Sequence, residues 1–317
     1  MRFTEIAAGD DLTRKMAQEV VKKSPLLASY IEFFKKPGNS VSVRAGGTVD
    51  GVVGQTRALG GKYAEKTVAP TYATGQRKML GDTVRIDVAY ERMGYDLSSE
   101  LTAQLTRRVR EVGYAFNYML IKGNPAAEGH DTEFTGLAKL IDSKRVVTAA
   151  TNGLALLLGN SDTAKKAQQT FLEKLDETIA LCQGTNKVII TNARVLARLN
   201  AVAREYLTIS KNEFGVPITH YNHVPLIDAG DYLSAKDTFS PVIGFNETVG
   251  TATTCGSLYV ASFEEEDGLS FATCDGGFTV YPVQQTGNWL ECMFELIADS
   301  MLVRSSALSK LEGLKME

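Results

Sequence analysis

Between Val41 and Tyr90 the chain holds a long segment with little to bury. Strand-like alternation marks its two ends, VSVR at 41–44 and TVRIDVAY at 83–90. About forty residues rich in Gly, Thr, Ala and Val lie between them. A compact domain seldom carries so long a stretch without a core, and an isolated two-stranded hairpin is marginal in water. The segment therefore predicts a hairpin that needs another surface to hold it. Its cations are Arg44, Arg57, Lys62, Lys66, Arg77, Lys78 and Arg85, against Asp50, Glu65, Asp82 and Asp87. This bias extends to the whole front of the chain: residues 1–85 carry 14 basic and eight acidic side chains, and residues 86–317 carry 20 and 29. Two such parts can attract each other within one chain or between copies.

The next stretch fixes a rod. Leu97, Leu101, Leu105, Val109, Val112, Phe116 and Leu120 recur every three or four residues, giving one apolar stripe with Arg107, Arg108 and Arg110 off it. The spacing predicts a helix over about 98–122 capped by Ser98, roughly 36 Å long at 1.5 Å per residue. Gly123-Asn124-Pro125 ends it, with glycine closing the helix and proline barring its continuation. Residues 11–36 read as one or two basic amphipathic helices, either lying on the surface or forming an arm. Beyond the rod, KRVVTA (144–149) and NKVIITN (186–192) read as strands. SDTAKKAQQTFLEKLDETIALCQG reads as a helix capped by Ser161 or Asp162, and Asn192 caps another through Tyr206. The remainder is strand-rich.

Chemical motifs are weak. EGHD at 128–131 crowds polar groups between glycines, yet HExxH is absent and the chain has three histidines, His130, His220 and His223. On a strand, HYNH (220–223) would turn its two rings to opposite faces. The sequence has no phosphate-binding glycine motif and no G-x-S-x-G elbow. Cys182, Cys255, Cys274 and Cys292 are widely spaced, as buried thiols are. EEED at 264–267 is a solvated turn or a counterpart for a basic hairpin. No enzyme, cofactor or metal is expected, and no run approaches the 18 apolar residues of a membrane span. With 44% hydrophobic and 22% charged residues the chain is an ordinary globular one. Its net charge of −3 argues against tight sequence-independent nucleic-acid binding by the whole surface.

The order of these parts, with Phe134-Thr135-Gly136-Leu137 after the rod, resembles the major capsid protein of tailed bacteriophages, the Hong Kong 97-like fold shared with encapsulins. Phe214-Gly215-Val216-Pro217-Ile218 with Val224-Pro225 resembles a strand pair of that family. DGGFTVYPVQQTGNW and the segment Ala307 to Leu311 resemble its ending. The resemblance implies an α+β capsid fold. Residues 1–40 would be an N-terminal arm and 41–90 the extended hairpin loop. Residues 91–150 and 276–304 would form a peripheral domain around the spine helix, and 151–275 and 305–317 an axial α/β domain.

It further implies a structural protein of the virion, assembled in the host bacterial cytoplasm into hexamers, pentamers and an icosahedral shell. The shell would package double-stranded DNA by weak non-specific contact. Its partners would be itself, a portal, a decoration protein and a separate scaffolding protein, since 40 residues leave no room for a fused scaffolding segment unless the chain is already processed. Expected assembly contacts are Arg57, Lys62, Lys66, Arg77 and Lys78 with Glu264, Glu265 and Glu266. Some relatives cross-link a hairpin lysine to an asparagine; no motif here selects such a partner for Lys62 or Lys66. The alternatives are an encapsulin-type nanocompartment shell, and a cytosolic metal-dependent hydrolase using His130, His220 and His223.

Overall fold

The computed structural model of the chain describes residues 2–6, 11–24, 26–27, 30–38, 40–44, 56–63, 72–211, 217–236, 238–265 and 267–316. Lys66, Glu266 and the Phe214–Val216 part of the strand-pair motif lie outside these residues.

The spine helix runs from Leu97 to Lys122, and every residue of its expected stripe is buried. Its cap is Asp96 rather than Ser98: the Asp96 carboxylate accepts the backbone N–H groups of Ser98 and Ser99. A carboxylate two positions earlier reaches two otherwise orphaned donors and also complements the helix dipole.

The spine lies against a six-stranded sheet organised by one long strand, Trp289–Leu302. Residues 289–298 pair antiparallel with 78–87, and 299–302 pair with 269–272. Phe278–Val280 and Gln284–Thr286 close the other flank. This corrects the expected hairpin. The strand anticipated at 83–90 begins at Lys78, ends at Asp87 and pairs with the long strand, some two hundred residues away. The hairpin proper joins Ser40–Arg44 to Tyr72–Gln76, with Arg44 opposite Tyr72.

The first residues, expected as an arm, fold onto their own chain. Asp11–Val21 is helical and buries Met16, Ala17 and Val20 in the spine-helix core. Glu19 on this helix accepts the Arg110 guanidinium of the spine at 2.7 Å. Phe33–Lys35, read from sequence as part of a helical stretch, is a strand parallel to Leu269–Thr273. Phe33 then joins Phe3, Phe116, Phe134, Phe271 and Phe278 in an aromatic cluster with centroid separations of 5.4–6.1 Å.

A nine-stranded sheet forms the other half, with Lys187–Thr191, Ala252–Ser262 and Leu308–Lys315 near its centre. Alternation along these strands feeds two cores. Val188, Ile190, Tyr259 and Ala261 face the spine-helix core, whereas Ile189, Leu258 and Val260 face the helices Asp162–Leu181 and Ala193–Val202. A sheet covered on both sides requires apolar residues at successive positions, which is why NKVIITN reads as a continuous run. Ser161 caps the first of these helices and Asn192 the second.

The spine ends by close packing. Gly123 has φ −49, so it is not a left-handed cap. A Cβ there would stand 2.2 Å from the Phe134 carbonyl oxygen, and one at Gly136 would stand 2.7 Å from the Gly123 nitrogen. The Gly136 N–H donates to the Gly123 carbonyl at 2.9 Å, so two glycines pinch the 123–136 excursion shut. Phe134 and Leu137 anchor the returning chain in the core.

Candidate assembly surfaces

The described part of the hairpin tip, residues 56–63, is a self-contained turn. The Gly61 N–H donates to the Ala58 carbonyl at 2.9 Å. Arg57 donates to the Gly61 carbonyl at 3.2 Å and lies 5.4 Å over the Tyr63 ring. The turn thrusts out its apolar residues: Leu59 is 103% exposed and Tyr63 60%. Lys62 is exposed beside them. An apolar residue held at the apex of a hydrogen-bonded, basic turn has the form of an interface anchor.

A second exposed apolar group sits at one end of the long-strand sheet. Trp289 pairs with Asp87, and the short helix Ala89–Arg92 follows immediately. Tyr90 and Tyr95 meet edge to face at 5.6 Å, and Tyr90, Met93, Tyr95 and Trp289 are all 46–69% exposed. No motif announced this patch, because its residues come from segments about two hundred positions apart.

Two residues expected as assembly contacts make hydrogen bonds within the chain. Arg77 is 9% exposed, and its guanidinium donates to the carbonyls of Lys36, Gly38 and Thr273, the last at 2.7 Å. It ties the hairpin root to the body. Glu264 accepts the Thr185 and Asn186 N–H groups and the hydroxyls of Thr185 and Ser262. Burial pushes the Glu264 carboxyl upward, but these four donors outweigh it and hold the pKa down to about 2. Lys78 is half-buried and donates to the Asp131 carbonyl at 2.6 Å; Glu265 is exposed.

Glu264 yields a direct expectation. Replacing it with Ala removes a charged acceptor from a half-buried turn and should lower unfolding stability by about 2 kcal/mol, discounted for partial solvent access. Because the folded pKa lies below the ordinary 4.5, the contribution is full above that value and disappears as pH falls toward 2. Denaturant melts at neutral pH and near pH 3 should show the gap between wild type and variant shrinking in acid. A gap independent of pH would contradict this account.

The histidines and EGHD residues do not converge. His130 pairs with Glu133 at 2.7 Å, and the other Glu133 oxygen accepts the Asn124 N–H at 3.1 Å, bracing the excursion. His220 lies in the strand Pro217–Tyr221, while Asn222 and His223 form the following turn, both at positive φ. The strand expected through HYNH is thus broken by a turn. Among the described residues no three His, Cys, Asp or Glu side chains are grouped to hold a metal ion. Cys182 is a core thiol: burial raises its pKa to about 11, and it donates to the Ala307 carbonyl at 3.2 Å. Among the described residues no helix is long and apolar enough to cross a membrane.

No protein-family model and no curated protein matches the sequence. Solved structures match along nearly its whole length. The SrpI encapsulin of Synechococcus elongatus PCC 7942 is 10% identical, covers 90% of this chain and 85% of its own, and gives a TM-score of 0.56. A chain from Mycobacterium phage Bobi is 9% identical, covers 93% and 91%, and gives 0.54. The capsid of the native GTA particle is 12% identical, covers 92% and 90%, and gives 0.53. These structures share the Hong Kong 97-like fold, and this chain has that fold.

Proposed function

We propose that this chain is the structural subunit of a closed shell, assembling through hexamers and pentamers into an icosahedral particle. The observation that carries the reading is the hairpin tip. Leu59 stands wholly in solvent on a turn braced by Arg57, Gly61 and Tyr63, a geometry that suits an anchor for another copy. The aromatic end patch gives a second contact, and head-to-tail contacts between unlike patches build rings. The fold likeness to encapsulin and capsid chains supports the same reading.

In this reading residues 91–150 and 276–304 form the peripheral domain and 151–275 with 305–317 the axial domain. The strand Leu269–Thr273 already pairs with the long strand and moves to the peripheral side. Arg57, Lys62, Lys78 and Glu265 remain assembly contacts, with Lys66 and Glu266 proposed on sequence alone. The subunit acts without catalysis. The shell we propose is a virion capsid containing double-stranded DNA, served by a scaffolding protein, a portal and a decoration protein.

Size-exclusion chromatography with light scattering and negative-stain microscopy tests the assembly claim. Capsomers or closed particles are expected; a monomer at every pH, salt and concentration would overturn it. Nuclease treatment of purified particles tests the contents. Protected double-stranded DNA supports the virion assignment, while a protein cargo without nucleic acid assigns the shell to the encapsulin class.

A further inference from the structure

Asp299 lies under the root of the hairpin, on the long strand directly beneath Gly75. It is 5% exposed, and its Oδ2 has no hydrogen-bond partner. A Cβ at position 75 would stand 1.8 Å from that oxygen, so the hairpin strand Tyr72–Gln76 rests on the carboxyl with no space for water between them. A buried carboxylate with an unpaired oxygen is costly, whereas the neutral acid fits the same slot at much lower cost. Water is available close by. Asp299, Gly75, Thr74, Gln76 and Glu133 line an open cleft of about 410 Å³.

We propose that Asp299 makes the hairpin root respond to protonation: the neutral carboxyl lets Tyr72–Gln76 seat on the body, and ionisation lifts that strand so that water from the cleft reaches Oδ2. The charged groups around Asp299 fit this device. Lys78 and Arg77, from the junction after the hairpin, favour ionisation by charge, and the Ser300 N–H donates to the carboxylate. Glu133, from the 123–136 excursion, faces the same cleft and opposes ionisation. Lys78 and Arg77 direct their hydrogen bonds elsewhere, to the Asp131 carbonyl and to those of Lys36, Gly38 and Thr273. Arg77 therefore anchors the point where the hairpin joins the body, so the lift is confined to the strands beyond it.

Burial dominates and raises the Asp299 pKa from 3.8 to about 6, against the Ser300 N–H, Lys78 and Arg77. A carboxyl raised in the fold stabilises it below the ordinary value, and that contribution is lost as pH rises through about 6. The inference concerns the single chain and stands whether or not the hairpin crosses to a neighbour.

Hydrogen-exchange mass spectrometry of the full chain, wild type and Asp299→Asn, tests it from pH 5 to pH 7.5. Particle mass is recorded at each pH and rates are corrected for their intrinsic pH dependence. In wild type, protection of residues 40–44 and 72–76 should fall about tenfold across this range, since one pKa unit corresponds to a tenfold population change. The amide of Asp299→Asn has the shape of the acid without its titration, so its hairpin should stay protected at both pH values. Hairpin protection independent of pH in wild type at constant particle mass would overturn the proposal. So would the same pH dependence in Asp299→Asn. Circular dichroism at both pH values verifies that the variant is folded, and Asp299→Ser supplies a second non-titrating side chain should the amide misfold.

Discussion

Replacing residues 45–71 with Asn-Gly should leave a folded chain that no longer assembles. Arg44 and Tyr72 are directly opposed across the hairpin, so a two-residue turn can join them without disturbing the strands Ser40–Arg44 and Tyr72–Gln76. Those strands contribute Val41 and Val43 to a small core with Phe34, Ala272, Met301 and Val303, which the shortened chain keeps. Shortening a surface loop changes closure entropy only slightly, so thermal unfolding should stay near the wild-type midpoint. Assembly should respond differently, because the deletion removes Leu59, Lys62 and Tyr63 together. A buried anchor is worth about 3 kcal/mol, so the protein concentration needed for assembly should rise roughly a hundredfold or more. Light scattering across a concentration series reads this directly. Unchanged assembly would place the subunit contacts elsewhere.

The second large effect lies in the core. Phe271 is fully buried and meets Phe33 at 5.8 Å, Phe116 at 5.9 Å and Phe134 at 6.1 Å. These partners belong to the N-terminal strand, the spine helix and the turn that follows it. Phe271→Ala should cost about 3–5 kcal/mol, through lost apolar transfer and a cavity its neighbours cannot close. If the four segments form one core, far-ultraviolet and near-ultraviolet circular dichroism should lose their signals at the same lowered denaturant concentration. Separate transitions would show that the N-terminal residues fold apart from the spine.

The sequence discloses those parts of this architecture that have a local period. The spine stripe from Leu97 to Leu120 and the caps Ser161 and Asn192 depend on residues within a few positions of one another. Pairing across two hundred residues has no such signature, so local alternation does not disclose that the strand at 78–87 pairs with the long strand. The cap lies at Asp96, two residues before Ser98; serine and aspartate are nearly equal as caps, and only geometry separates them. The hydrogen-bond partners of charged residues are illegible for a related reason. Arg77 and Glu264 look like surface residues in a count of cations and acids, yet each is surrounded by backbone groups from distant segments. A hairpin without a core is legible around Leu59, but nothing in the local sequence singles out that leucine.

The central claim is that the hairpin tip belongs to a neighbouring copy, and a photo-crosslinker at position 59 tests it most directly. With benzoylphenylalanine in place of Leu59, irradiation of the assembled protein should give a ladder of covalent multimers, with crosslinked peptides from two copies. Crosslinks confined to a single chain, in particles that still assemble, would contradict it.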